Sequence, residues 1–179
     1  MWDQKLYNQA IDFAGEAHKS QKIPGSEIPY VTHVARVANE VILAWVQSTT
    51  KFRIDYAIAC ALLHDTIEDT TVTLNQIAKT FGEEVAAGVL ALTKDEGLPT
   101  KEAQMQDSLD RILKQCVEVR IVKMGDRVDN LGKPPHYWDE AKKRRYQQEA
   151  QLILNRLGGV NDWIEARLEQ KIKEYAQYF

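Results

Sequence analysis

Leu6, Ala10, Phe13, Ala14 and Ala17 recur at intervals of three and four residues, which puts them on one face of a helix. The pattern fails at Pro24-Gly25-Ser26, which reads as a loop, and a second helix is expected over about 31–47. The run Ala57-Ile58-Ala59-Cys60-Ala61-Leu62 is apolar all round, as a central helix packed on every side would be. Thr73-Leu74-Asn75-Gln76 has the form of a capping box, and the short helix it opens stops at Phe81-Gly82. Another helix is expected over about 83–94. After the loop at Gly97-Leu98-Pro99, an amphipathic stretch carries Met105, Leu109, Ile112 and Leu113. Residues 117–131 are ambiguous: Val-Glu-Val-Arg-Ile-Val alternates like a strand, but Ile121, Met124, Val128 and Leu131 keep helical spacing, and helix is preferred. Two last helices, over about 138–157 and 162–178, are separated by Gly158-Gly159. The sum is an all-α bundle of roughly eight to nine helices.

Composition narrows what such a bundle could be. At 179 residues, 44% hydrophobic and 27% charged, residues 1–179 are expected to form a single domain able to bury a core without disulfides or a structural metal. No apolar run approaches the roughly 18 residues that a membrane span needs, so no membrane partner is expected. The net charge of −3 and pI of about 5.8 argue against wrapping duplex nucleic acid, although local basic clusters leave room for a small polyanion. Cys60 and Cys116 lie in apolar surroundings, and the N-terminus has no leader-like pattern, so a reducing cytoplasm is the expected setting.

The densest chemistry follows the apolar helix. His64 and Asp65 stand at its end, with Glu68 and Asp69 four residues beyond each of them, so a continuing helix would stack two acidic columns. A helix C-terminus already carries partial negative charge, and three carboxylates there call for a cation. His33 and Asp126 are plausible further ligands, completing a His-His-Asp-Asp set suited to Mn²⁺, Fe²⁺, Zn²⁺ or Mg²⁺. Such an ion activates water near neutral pH, and Glu68 and Asp69 are placed to orient it or carry its proton. Taken singly, His64 would read as a core histidine and His33 as a loop or capping residue. The polar cluster closing ALLHDTIEDT, too costly to bury unpaired, favours the metal. His18 is expected on a helix surface or beside the site, and His136 in a loop.

Five segments in order, AHKSQ (17–21), PYVTHVARVA (29–38), ALLHDTIEDT (61–70), LTK (92–94) and KMGDRVDNL (123–131), closely resemble the HD-type hydrolase domain of the RelA/SpoT alarmone enzymes. The likeness runs from about Leu6 to Tyr175 and leaves no room for a synthetase or regulatory domain, so a stand-alone small alarmone hydrolase is expected. The resemblance implies an all-α HD fold that uses Mn²⁺ to remove the 3′-pyrophosphate of guanosine tetra- and pentaphosphate. It implies that His33, His64, Asp65 and Asp126 bind the metal, that Glu68 and Asp69 work on the attacking water, and that Asn130 and Tyr146 line the nucleotide pocket. Asn130 also lies one helical turn from Asp126. Tyr146 shares a face with Ala150, Ile153 and Leu157, so core packing is an equal reading.

Two departures bear on the substrate. Where the family carries an Arg-Lys pair that flanks the purine, this chain has Ile23 and Pro24, and Asp129 stands where a histidine or aromatic residue is usual. An adenine alarmone, or the 2′-phosphate of an NADPH-like dinucleotide, is therefore an alternative substrate, and a catalytically decayed nucleotide-binding module is a third reading. Phosphate-binding cations are sought in Lys22, Lys94, Lys101 and the run from Lys142 to Arg145. Lys142 is preferred within that run, one turn from both Trp138 and Tyr146.

Overall fold

The computed structural model describes residues 2–179. Among them are ten α-helices: α1 (Gln4–Ala17), α2 (Val31–Gln47), α3 (Ile54–Leu63), α4 (Thr66–Asp69), α5 (Leu74–Phe81), α6 (Glu83–Leu92), α7 (Lys101–Leu113), α8 (Val117–Asn130), α9 (Glu140–Leu157) and α10 (Asp162–Tyr175). A short 3₁₀ turn, Ala176–Tyr178, follows α10, and the described residues contain no strand. Nine helices have eight residues or more, as the periodicity leads one to expect, and the segment that could have been a strand is α8. The tenth, α4, is a single turn that the sequence pattern merges with α3.

Side chains at the helix starts define several boundaries. Asp3 accepts the N–H of Lys5 ahead of α1, Thr73 and Gln76 form the expected capping box of α5, and Asp139 accepts the N–H of Lys142 and so delays α9 to Glu140. Gly82, at φ 90°, ends α5 and admits α6 at an angle that a β-carbon would strain.

The apolar helix α3 occupies the centre, packed by α1, α2, α6 and α8, and its residues 56–63 are all buried. Such a helix has no polar face to show to water, which is why its neighbours surround it. Helix α8 runs beside α3 in the same direction: Glu118 meets the start of α3 at Arg53, and Asp126 meets its end at His64. Residues 121–128 of α8 are also buried, yet three of them, Lys123, Asp126 and Arg127, are charged. Burying three charges within one helix is costly unless they are paired with each other or with a ligand.

Candidate metal centre

The ends of α3 and α8 meet the first turn of α2. His33 enters from the third residue of α2, His64 is the residue that caps α3, and Asp126 comes from the last turns of α8. One potential ligand atom from each lies within 4.8 Å of the other two. His33 Nε2 is 3.4 Å from Asp126 Oδ1, and His64 Nε2 is 3.6 Å from the same oxygen. Asp65 Oδ2 completes the group, 2.9 Å from His64 Nε2 and 3.6 Å from His33 Nε2. All four residues named as ligands from the sequence are therefore together.

The opposite ring nitrogens fix how the imidazoles face. His64 Nδ1 is 2.8 Å from the Ala61 carbonyl, and His33 Nδ1 is 2.7 Å from Asp129 Oδ2. An Nδ1–H donated to each acceptor leaves both Nε2 lone pairs aimed at the carboxylates, and neither buried Nε2 has a hydrogen-bond partner. Two orphaned imidazole nitrogens converging on two carboxylates are the donor set of a borderline divalent ion. Charge agrees. With neutral imidazoles, Asp65, Asp126 and Asp129 carry three negative charges, and Lys123, whose Nζ is 3.0 Å from Asp126 Oδ2, returns one. A divalent cation neutralises the remainder.

The titration behaviour reflects the same imbalance. Burial alone would lower the His33 imidazole, but its contacts with Asp126, Asp129 and Asp65 raise it to about 12. Burial also opposes charge on His64, and the neighbouring Asp65 and Asp126 lift it to about 9. Desolvation works against the Asp126 and Asp65 carboxylates too, yet Lys123 beside the first and His64 beside the second hold both well below the usual carboxylate range.

The acidic pair beyond the ligands lies on a separate turn rather than on a continuation of α3. The regular helix stops at Leu63 and resumes at Thr66 as α4, with Asp65 between them at φ −98°, ψ −1° and its carbonyl still accepting the Asp69 N–H at 2.9 Å. Glu68 accepts hydrogen bonds from both the backbone N–H and the Nζ of Lys94, each at 2.8 Å. Asp69 is exposed and accepts a 3.2 Å bond from the Gln21 amide, while partial desolvation and the charge of Asp65 raise its carboxyl above the usual range. Gln21 is itself 2.7 Å from the Nδ1 of His18, a buried residue stacked near Tyr30. His18 thus belongs beside the site.

The expected nucleotide contacts are more scattered. Asn130 donates to Asp126 Oδ1 at 2.5 Å. Tyr146 lies under the guanidinium of Arg127, 4.2 Å from ring to cation, and against Trp138. Lys94 and Lys101 line a cavity of about 210 Å³ that also touches Glu68 and Glu149. Lys142 is exposed and rests over the Trp138 ring, and Lys22 is paired with Glu27 at the surface. Tyr30, Lys123 and Asp129 were not singled out as supports of the ligands: the Tyr30 hydroxyl donates to Asp65 Oδ2 at 2.6 Å, and the other two flank Asp126 and His33. Their spacing was the available signal, since Lys123 and Asp129 lie three residues either side of Asp126 on one helical face.

An HD-domain family model matches residues 10–162. The chain belongs to the HD-domain family. Within it, the chain is 31% identical over 171 residues to the guanosine-3′,5′-bis(diphosphate) 3′-pyrophosphohydrolase MESH1 of Danio rerio, covering 93% of this chain and 92% of that protein. The Homo sapiens protein of the same name is 30% identical over the same shares. The GTP pyrophosphokinase rsh of Brucella melitensis is 36% identical over 163 residues, which are 88% of this chain but 20% of that longer protein. In fold, the HD domain superposes on a solved metazoan ortholog of SpoT with a TM-score of 0.83, at 24% identity and over 100% of this chain and 99% of that one. No helix among the described residues is long and apolar enough to cross a membrane.

Proposed function

We propose that this HD domain is a Mn²⁺-dependent guanosine-3′,5′-bis(diphosphate) 3′-pyrophosphohydrolase. Water adds to the phosphorus joined to the nucleotide 3′-oxygen, and GDP and pyrophosphate leave. The observation that carries this reading is the pair of buried, unpartnered imidazole nitrogens of His33 and His64 facing Asp65 and Asp126, in a chain related along nearly its whole length to named hydrolases of this kind. Those four residues hold the ion. A divalent ion in this place supplies the charge that polarises water and the phosphoryl oxygens.

The protein's own groups do the rest. Asp69, open to solvent and with its carboxyl raised, takes the proton of the attacking water. Glu68 shares that duty and keeps the Lys94 ammonium turned toward the cavity, where it offsets charge on the transferring group. Asn130 and Tyr146 line the nucleotide side, and Lys142 and Lys22 reach it only by leaving Trp138 and Glu27. The 179 residues act as one catalytic unit, in a reducing cytoplasm consistent with the two free thiols.

A second reading rests on Ile23 and Pro24. The loop between Gln21 and Tyr30 is closed by backbone bonds, and its one lysine, Lys22, is tied to Glu27, so no free cation is presented there to clamp a guanine. An adenine alarmone or an NADPH-like 2′-phosphate then becomes the substrate of the same centre. Metal-loaded protein incubated with a panel of these nucleotides separates the two. Pyrophosphate released from the guanosine compound supports the first reading, and orthophosphate released from the dinucleotide supports the second. No turnover of any phosphorylated nucleotide would leave only a binding module.

A further inference from the structure

Helix α8 touches both nitrogens of one imidazole. Asp126 Oδ1 faces His33 Nε2 at 3.4 Å, and Asp129, three residues later on the same face of the helix, places Oδ2 2.7 Å from His33 Nδ1. We infer that Asp129 is a positioning residue for the metal ligand His33, a carboxylate that locks the ring and sets how tightly the centre holds its ion. This inference rests on the metal-centre reading above and adds to it a determinant of affinity.

Three observations support the role. Asp129 Oδ2 is engaged on the side of the ring away from the convergence of ligand atoms, so this carboxylate supports a ligand without being one. The 2.7 Å separation is that of a charge-assisted hydrogen bond, and such a bond fixes the tautomer with Nε2 as the free donor to a metal. The two histidines also differ: His64 Nδ1 meets a neutral backbone carbonyl at 2.8 Å, whereas His33 meets an anion. An anionic partner strengthens the imidazole as a ligand and adds negative charge to a buried site, where low dielectric makes it count. His33 sits in a ring-lined slot, with centroids 5.2 Å from Tyr30 and 5.3 Å from His64, and this hydrogen bond selects which ring edge faces the ion.

The test is Mn²⁺ binding to the full-length, chelator-stripped protein, followed by calorimetry and by the Mn²⁺ electron paramagnetic resonance signal. Wild type is compared with Asp129→Asn, which keeps the shape, and Asp129→Ala. We expect about 10-fold weaker binding for Asp129→Asn and up to about 100-fold for Asp129→Ala, with unchanged far-ultraviolet circular dichroism. Turnover of both variants recovers at saturating Mn²⁺ with the nucleotide KM unaltered, as a residue acting through His33 requires. Wild-type affinity in both folded variants overturns the role of Asp129 and leaves the metal centre standing. Turnover that saturating Mn²⁺ does not restore also overturns it. Failure of wild type to bind Mn²⁺ overturns the metal reading itself.

Discussion

Helices α3 and α8 run side by side and carry a polar cluster at each end, half-exposed at the start and buried at the finish, and the two clusters are built on opposite principles. At the starting end, Glu118 accepts the Arg53 backbone N–H at 2.8 Å. The Arg53 guanidinium pairs with Glu84 at 2.8 Å, approaches Cys116 Sγ at 3.4 Å and covers the Tyr56 ring. Tyr56 and Cys60 press so closely on Gly88 that a β-carbon there would collide with both, and burial pushes the Cys60 thiol up to about 12. No side-chain nitrogen or oxygen of this cluster is both buried and unpartnered. At the finishing end, the two histidine Nε2 atoms have no partner, and like-charged carboxylates crowd round them. A satisfied network fixes a packing arrangement. An unsatisfied one is stable only with something else bound, so buried polarity points to function where its valences remain open.

The sharpest way to break this contrast is His64→Ala. If the finishing end exists to hold an ion, the variant binds Mn²⁺ more than about 100-fold more weakly than wild type and loses turnover, while remaining folded. Calorimetric titration with Mn²⁺ beside circular dichroism checks both. An unchanged affinity would make the finishing end a structural cluster like the other. Glu68→Gln and Asp69→Asn probe the margin of the same end. Both should keep the metal, and turnover at saturating nucleotide should fall about 10²- to 10⁴-fold in whichever residue carries the proton. Full activity in both variants would remove the acid–base role from α4.

The two ends also differ in how far the sequence exposes them. Helix α3 was legible because eight successive residues without a polar face have one stable placement, the middle of the bundle. The ligands were legible because a charged run directly after such a helix needs compensation. The break at Asp65 was not legible: no proline or glycine marks it, and residues 61–70 alone suit a continuous helix. Asp129 stood in plain view as a carboxylate one turn from Asp126, but its partner His33 is 96 residues away, a distance that helical spacing does not span. The starting cluster left less trace still. It joins Arg53, Glu84 and the Cys116–Glu118 turn from three chain segments, each of which alone looks like ordinary surface or cap chemistry. Nucleotide contacts are the least legible for a related reason. Long lysines such as Lys22 and Lys142 find local partners, and their helix position does not decide which partner they keep.

The smallest expected effect belongs to the starting end and concerns stability. Glu118 is buried, and although desolvation opposes its charge, the Arg53 backbone N–H and the Cys116 thiol hold its carboxyl below the ordinary value. A carboxyl lowered in the folded state contributes stability that is present above its unfolded value, about 4.3, and is lost as pH falls through the folded one. Glu118→Gln keeps an acceptor for Arg53 but removes the charge, so the variant should be less stable than wild type by about 1–2 kcal/mol at pH 7, and the gap should close as pH falls to about 3. Urea unfolding at a series of pH values measures it. A gap that persists unchanged at low pH would mean that Glu118 acts through packing alone. Mn²⁺ affinity should be equal in the two proteins at pH 7, because the Glu118 carboxylate is bonded at the start of α3 and the ligands gather at its end. A fall in that affinity would show the two ends of the helix pair to be coupled, and the contrast between a closed structural cluster and an open functional one would have to be redrawn.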